Sequence, residues 1–321
     1  MRAFVTGGAG FIGSHLVDSL LAGGFQVTVL DDFSTGSRHN LAHIPSTAPL
    51  SVVEGSVLDA PLVEDLLAQA DCVYHLAAAV GVRRILDRPL ESIRVNLKGT
   101  ENVLEALKPG VPVLLASTSE VYGKNGKGAL AETDDSIIGA TSIRRWLYAT
   151  SKAMDEFLAL AHHRERDIHA VIVRFFNTVG PRQTGMYGMV LPNFVQKALK
   201  GEPIQIYGDG RQRRNFTYVD DAITGIRRLM ETPDARGQVF NMGGGEEITI
   251  ENLAIRVREI TGSKSPLQYV PYGCAYGGGF EDMRRRVPDT TRLKELTGFA
   301  PATPIDTIIA RVADHFRGAS G

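Results

Sequence analysis

The stretch that decides the fold is Arg2-Ala-Phe-Val-Thr-Gly-Gly-Ala-Gly-Phe-Ile-Gly13. A short apolar run, Ala3 to Val5, leads straight into glycines at Gly7, Gly10 and Gly13. A helical pattern follows at once, with Ile12, Leu16, Leu20 and Leu21 on one face. Strand, glycine loop and helix together are the context that a dinucleotide-binding loop needs. Gly7 makes the tight turn, Gly10 lets backbone approach a pyrophosphate, and Gly13 lets helix pack on strand. The phosphates then lie at a helix N-terminus, where free N–H groups and the helix dipole favour negative charge.

Working outward, a second apolar run, Gln26 to Leu30, ends at Asp31-Asp32. An acid at that distance accepts hydrogen bonds from the adenosine ribose hydroxyls. Two adjacent carboxylates repel a 2′-phosphate, so NAD is favoured over NADP. Arg38, close downstream, keeps NADP open as the alternative.

Composition sets the outer bounds. The chain has 321 residues, 43% hydrophobic and 22% charged, which is ordinary for a globular protein with a large core. A formal net charge of −1 gives no case for a nucleic-acid or membrane surface. With two cysteines, Cys72 and Cys274, no disulfide framework is indicated, and Cys72 in an apolar run reads as a buried, inert thiol. No apolar run approaches a membrane span, and no signal peptide fits ahead of the first strand, so the expected compartment is the cytoplasm. No metal-ligand cluster is evident.

Short apolar strands then alternate with helical patterns: Leu50 to Glu54, Cys72 to Leu76, Val111 to Ala116 and His169 to Phe176. Asp59 is placed to cap a helix whose apolar face is Leu62, Leu66 and Leu67. Pro89 to Leu107 reads as one long helix. Such alternation predicts an α/β fold, a parallel sheet with right-handed crossovers that binds ligands beyond the carboxyl ends of its strands. His75 reads as a packed core histidine. The small run Ala77 to Ala79 suits either a cofactor lying on the strand end or tight helix–sheet packing.

Just past the fifth strand comes Ser117-Thr-Ser-Glu-Val-Tyr-Gly123, a site candidate by position, with a solvated loop as the alternative. Farther on, Tyr148 and Lys152 stand four apart and share a helix face. A lysine ammonium near a phenol stabilises phenolate, so the tyrosine can act as general base near neutral pH. After residue 177 the regularity breaks, and glycines and prolines rise. The reading is a dinucleotide-binding domain of residues 1–177 plus 217–243 and a smaller substrate lobe of 178–216 plus 244–321. Loop arginines in that lobe (Arg182, Arg211, Arg213, Arg214 and Arg284 to Arg286) either keep a surface soluble or converge on a diphosphate. Gly273 to Gly279 reads as a lid.

These residues resemble the extended short-chain dehydrogenase/reductase family of nucleotide-sugar epimerases, dehydratases and decarboxylases, essentially end to end. The resemblance rests on Thr6 to Gly13, His75-Leu-Ala-Ala78, Ser117 to Gly123, Tyr148 to Lys152, Arg174-Phe-Phe-Asn177, Gly180-Pro-Arg182, Tyr207-Gly-Asp-Gly210, Arg214 to Asp221 and Arg286-Val-Pro-Asp289. It implies a Rossmann-type doubly wound parallel sheet of about seven strands with a smaller C-terminal substrate lobe, NAD as cofactor, a UDP-sugar as substrate and a homodimer built on the helices at 89–107 and 145–165. It implies Tyr148 as base, Lys152 as its partner, Thr118 on the sugar hydroxyl, and Ser119 and Glu120 in the catalytic set. Cofactor contacts are implied for Gly7, Gly10, Phe11, Ile12, Gly13, Asp31, Asp32, Ser34, Thr35 and Gly36. The same holds for Ser56, Val57, Leu76, Ala77, Ala78, Asn96, Ser117 and Phe175. Substrate contacts are implied for Val82, Thr118, Arg145, Asn177, Arg182, Arg214 and Arg286, the last two on the diphosphate. Gly55-Ser56 departs from the family's usual Gly-Asp and weakens one adenine contact.

In that family the sugar is oxidised at C4, and the resulting ketone permits epimerisation, dehydration or loss of a C5 carboxylate. Glu120 and the run Ala275 to Pro288, with Arg145-Trp146, resemble decarboxylases most. UDP-glucuronate decarboxylation is therefore the first expectation, a UDP-sugar or UDP-uronate 4-epimerase the second and a dehydratase the third. A non-catalytic binding protein is the remaining class, and it requires the Tyr148/Lys152 pair to be idle.

Overall fold

The computed structural model describes the chain apart from residues 82–84, 86, 185–188, 272–282 and 319–321. Its centre is a seven-stranded sheet, parallel throughout. In chain order the strands are β1 (Arg2–Thr6), β2 (Gln26–Asp31), β3 (Leu50–Glu54), β4 (Cys72–His75), β5 (Pro112–Thr118), β7 (His169–Phe175) and β12 (Gln238–Met242). Spatially they run β12-β7-β5-β4-β1-β2-β3, so the strand order reverses between β1 and β4. In a doubly wound sheet that reversal opens a crevice at the carboxyl ends, because the two following loops leave in opposite directions.

Each strand between the edges is buried on both faces, as a parallel sheet covered by helices requires. One core layer joins Val5, Val29 and Tyr74 to Leu16, Val17 and Leu20 of α1 (Phe11–Ala22). The other joins Phe4, Val73 and Ile172 to Val63 and Leu67 of α2 (Ala60–Leu67). Asp59 caps α2 by accepting the Leu62 N–H at 3.2 Å, a contact worth about 1 kcal/mol. The long helix expected from Pro89, α3 (residues 89–106), is continuous but changes pitch: Pro89–Ile93 is α-helical, Arg94–Lys98 is a π-turn and Gly99–Ala106 is α-helical again. Such turns recur at functional sites, and this one carries Asn96. The helix α4 (Leu147–Arg166) packs on β5 and β7.

The remaining strands form small sheets. β6 (Ala129–Leu130), β15 (Arg285–Pro288), β10 (Arg213–Arg214) and β13 (Ile248–Thr249) lie side by side, β8 (Thr178–Val179) pairs with β11 (Thr217–Tyr218), and β9 (Ile204–Tyr207) pairs with β14 (Leu267–Val270). Residues 129–130 thus join the small sheet, although they precede residue 177. Leu130 is fully buried against β15, a partner too distant in sequence for local pattern to reveal. Among the described residues no helix is long and apolar enough to cross a membrane, and no group of three or more His, Cys, Asp or Glu is placed to hold a metal ion.

Candidate active site

The crevice between β1 and β4 is lined with backbone. Gly7 has φ +71°, a left-handed conformation that costs a side-chain-bearing residue energy, and a Cβ there would lie 2.8 Å from Ala77 N. A Cβ on Gly13 would lie 2.1 Å from the Gly7 carbonyl oxygen, so helix and loop touch only because both residues are glycine. Gly10 is the N-cap of α1 and offers no side-chain cap, which leaves the first N–H groups, from Phe11 and Ile12 onward, facing outward. Across the crevice Ala77 N donates to Thr6 Oγ1 at 3.1 Å and Leu76 N to the Thr6 carbonyl at 3.2 Å, which locks the two strand ends together.

Asp31 lies at the end of β2, but its oxygens are already engaged: Oδ2 accepts the Ala9 N–H and Oδ1 the Phe33 N–H, both at 2.9 Å. Burial raises its carboxyl above the ordinary range, opposed by those two hydrogen bonds. Asp31 therefore shapes the glycine loop from behind, and the exposed Asp32, which accepts the Ser34 N–H at 2.9 Å, is the outward carboxylate. Gly36 passes so close that a Cβ would lie 2.8 Å from Asp31 Oδ1. Arg38 is drawn away to Glu54 and stacks over the Phe33 ring at 4.3 Å, so it does not neutralise the Asp31-Asp32 pair. Asn96, expected on the cofactor, is used internally. Its Oδ1 accepts the Ala79 N–H at 2.8 Å and its Nδ2 donates to Ser151 Oγ at 3.1 Å, so it ties the loop after β4 to α4. Val57 is buried, with its carbonyl accepting Asn102 Nδ2 at 2.9 Å, and the Ser56 hydroxyl accepts the Leu58 N–H at 3.2 Å.

Side chains dominate at the carboxyl end of β5. Thr118, the last residue of β5, caps the 3₁₀ turn Ser119–Tyr122, with its hydroxyl accepting the Glu120 N–H at 3.2 Å. The backbone is a turn there, not the extended stretch that the i, i+2 spacing suggested, yet Thr118 and Glu120 still act on the same group. The Thr118 hydroxyl hydrogen-bonds the Tyr148 phenol, and the Glu120 charge acts on that phenol as well. Burial, then the charges of Glu120 and Asp155, hold the Tyr148 phenol well above its ordinary range, opposed by Thr118 and Arg286. Glu120 pairs with Arg145 Nη2 at 2.5 Å and with Arg286 Nη1. Burial alone would raise the Glu120 carboxyl, but the guanidiniums of Arg286 and Arg145 outweigh it and hold it at about 2.

Arg286 also donates to Asn177 Oδ1 at 2.7 Å, and Asn177 Nδ2 donates to the Asn215 carbonyl at 2.8 Å. Arg286 thus joins Glu120 and Asn177 in one cluster beside Tyr148. Arg214 is its register partner on the neighbouring strand, buried, with Nη1 donating to the Arg213 carbonyl at 2.9 Å.

The comparisons with known proteins agree with this geometry. Residues 3–243 match the NAD dependent epimerase/dehydratase family. The chain belongs to this family. It is 41% identical over 318 residues to the UDP-N-acetyl-alpha-D-glucosaminuronate decarboxylase of Bacillus cytotoxicus, covering 98% of each chain. It is 36% identical to UDP-glucuronic acid decarboxylase 2 of Arabidopsis thaliana, covering 99% of this chain and 68% of that one. Among solved structures it superposes with a TM-score of 0.89 and 28% identity on the Bacillus cereus UDP-glucuronic acid 4-epimerase in complex with UDP-glucuronic acid and NAD, covering 99% of this chain and 100% of that one. This epimerase/dehydratase-family member is an NAD-dependent enzyme, and the glycine loop and uncapped helix start fit the cofactor: Gly7 and Gly13 let strand, loop and helix close on one another, and no side chain caps the first N–H groups of α1, which leaves them for a pyrophosphate.

Within this family member several of the expected site residues make contacts inside the chain. The Ser117 hydroxyl is given to Glu156, on the far side of β5 from Thr118, because strand side chains alternate. Arg182 donates from Nη2 to Asp18 Oδ2 of α1 at 2.6 Å, with its backbone N–H on His315 Nε2 at 3.1 Å, so it does not join the Glu120 cluster. Phe175 packs at the end of β7 against the core, and Ser119 is buried. Val82, Cys274 and the Gly273 to Gly279 stretch lie outside the described residues, as does most of the run from Ala275. Lys152 does share the Tyr148 face, with its ammonium 2.7 Å from Asp155 Oδ2; burial first, then the charges of Glu120 and Asp155, raise the phenol here rather than lower it as the pair alone suggested.

His75 is a core residue as read: Nδ1 meets Thr6 Oγ1 at 2.7 Å, Nε2 meets Thr100 Oγ1 at 3.1 Å, and burial followed by the Lys152 charge holds it neutral, down at about 3. Burial likewise pushes the Cys72 thiol up to about 11, which keeps it inert. Asp155 and Glu156 also belong to this region, although no motif in the sequence marks them. Glu156 braces Arg174 through two hydrogen bonds of 2.9 and 2.7 Å. The signal for Asp155 was its helical spacing, three residues after Lys152 and seven after Tyr148.

Proposed function

We propose that this enzyme is a UDP-uronate decarboxylase, with UDP-glucuronate the first substrate to try. The observation that carries the reading is Glu120 held between Arg145 and Arg286 beside Tyr148 and Thr118. One carboxylate against two guanidiniums leaves the sugar end of the cleft with surplus positive charge. A neutral hexose needs no such charge, whereas a C6 carboxylate does. The two decarboxylase relatives support the same reading.

NAD, when bound, is the two-electron acceptor for the C4 hydrogen and brings a positive ring charge to the phenol. Gly7, Gly10, Gly13 and the start of α1 hold its pyrophosphate, and Asp32 its ribose. Tyr148 takes the O4 proton, and the Thr118 hydroxyl orients O4. Once C4 is a ketone, the C6 carboxylate is that of a β-keto acid. Arg145 and Arg286 orient the carboxylate so that the C5–C6 bond stands across the carbonyl plane, and Glu120 fixes both guanidiniums. Breaking that bond releases CO₂ and leaves the electron pair as an enolate at O4, which Tyr148 and Thr118 hydrogen-bond until C5 is reprotonated. Arg214 lies next to Arg286 in register and is the arginine we assign to the diphosphate, in the lobe of residues 178–216 and 244–321.

The second reading is a UDP-uronate 4-epimerase, favoured by the same guanidiniums and by the Bacillus cereus structure. Mass spectrometry of products from UDP-glucuronate, UDP-N-acetylglucosaminuronate, UDP-glucose and UDP-N-acetylglucosamine separates the readings. Loss of CO₂ from a uronate is expected. A product of unchanged mass makes it an epimerase, and loss of water makes it a dehydratase. We further infer that it works as a cytoplasmic homodimer. Leu90, Met154 and Phe157 expose an apolar patch across the packed helices Pro89–Ile93 and α4, at 70%, 48% and 69% exposure. Phe157→Asp is expected to convert a dimer to a monomer in analytical ultracentrifugation, and a wild-type monomer overturns this assignment.

A further inference from the structure

Three groups stand along one face of α4: Tyr148, Lys152 and Asp155, at i, i+4 and i+7. Asp155 is fully buried, Lys152 is 2% exposed, and their charged atoms are 2.7 Å apart. A buried ion pair is a poor way to stabilise a helix–sheet contact, because desolvating two charges costs about as much as their attraction returns. Packing alone therefore gives no reason for a carboxylate at this position.

The surrounding charges show what it can do. The turn after β5 brings Glu120, the small sheet brings Arg286, and the segment before α4 brings Arg145; both guanidiniums are paired with Glu120. On the adjoining face Glu156 is paired with Arg174 of β7. His75 of β4 is neutral, and the Thr100 hydroxyl favours the charged form of Asp155. Burial raises the Asp155 carboxyl and the Lys152 ammonium opposes that rise. Asp155 is thus the carboxylate set against the catalytic lysine, and its charge reaches the Tyr148 phenol from the helix itself.

We propose that Asp155 is a positioning residue that holds the Lys152 ammonium and, by partly cancelling its charge, sets the pH range in which Tyr148 works as base. This rests on Tyr148 being the base. The negative charge disfavours phenolate, so removing it lets Tyr148 ionise at lower pH. In Asp155→Asn the amide still accepts from Lys152, but the ammonium acts on the phenol undiminished.

The test is the pH profile of kcat/KM for the NAD-loaded enzyme with UDP-glucuronate or UDP-N-acetylglucosaminuronate, whichever is turned over. The expected result is an acid limb moved down by about one pH unit in Asp155→Asn and held at the wild-type position in Asp155→Glu. If Asp155→Asn does not fold, Asp155→Ser, which leaves room for water beside the ammonium, is expected to show the same downward move. A wild-type acid limb that the neutral variant leaves in place, or that Asp155→Glu moves equally, overturns the proposal and leaves Tyr148 as base. A wild-type profile with no acid limb overturns both.

Discussion

At the β1–β4 crevice, where we place the cofactor, the protein offers backbone: three glycines, an uncapped helix start and two strand ends tied by Thr6. At the end of β5, where we propose that substrate binds, side chains come together from four places: Thr118 and Glu120 from β5 and its turn, Arg145 and Tyr148 from the turn before α4 and its first residues, Asn177 after β7, and Arg286 from β15. The first end recognises a phosphate by shape and dipole, which many sugar-modifying reactions share. The second end holds ionisable groups paired with one another, and on the proposed reading their mutual charges decide which bond breaks. The difference teaches where in this molecule chemistry can change without loss of the fold.

The largest effect is expected at the substrate end. Tyr148→Phe keeps the fold and the cofactor but loses the O4 proton acceptor. Turnover should fall by about 10²–10⁴-fold while NAD affinity by calorimetry stays near wild type. A Phe variant within a few-fold of wild type would show that the base lies elsewhere.

Glu120→Gln sharpens the comparison, because it should separate the steps. Stopped-flow absorbance should still show NADH forming from UDP-glucuronate, while CO₂ release slows by orders of magnitude. A variant that epimerises a UDP-sugar at near wild-type rate would favour the epimerase reading. The same carboxyl bears on stability. Its value falls from an ordinary 4.5 to about 2 on folding, so its contribution is complete above about pH 4.5 and is lost as pH drops toward 2. That contribution is on the order of 3 kcal/mol. Urea unfolding between pH 5 and 2 should therefore show a flatter acid loss in Glu120→Gln than in wild type, and parallel curves would contradict the pairing.

At the cofactor end the expected effects on activity are smaller and act through the fit of the glycine loop on α1. Gly13→Ala places a methyl 2.1 Å from the Gly7 carbonyl, against 3.1 Å for Gly10→Ala. NAD affinity should drop at least about tenfold in the first, roughly 1.4 kcal/mol, and less in the second. Equal losses would mean that the close helix–loop approach does not govern the site. Smallest of all is cofactor choice. With Arg38 held by Glu54, NAD should bind at least about tenfold more tightly than NADP, and equal calorimetric affinities would overturn the role given to Asp31-Asp32.

The sequence alone determined what depends on neighbours along the chain. Alternation set the parallel sheet, the Gly7-Gly10-Gly13 spacing set the phosphate loop, and four-residue spacing put Tyr148 and Lys152 on one face. Each is a local consequence of strand and helix periods. The same spacing also carried Asp155, but nothing local says that a carboxylate at i+7 is buried against the lysine. Only the tertiary structure decided which charges meet. Arg145 and Arg286 stand 141 residues apart in the chain, yet both reach Glu120, whereas Arg182, equally plausible on paper, goes to Asp18. The physical reason is that charge pairing acts over a few ångströms whatever the chain separation. The strand register that sets Arg286 beside Arg214, and the turn that swings Glu120 toward them, are properties of the assembled sheets.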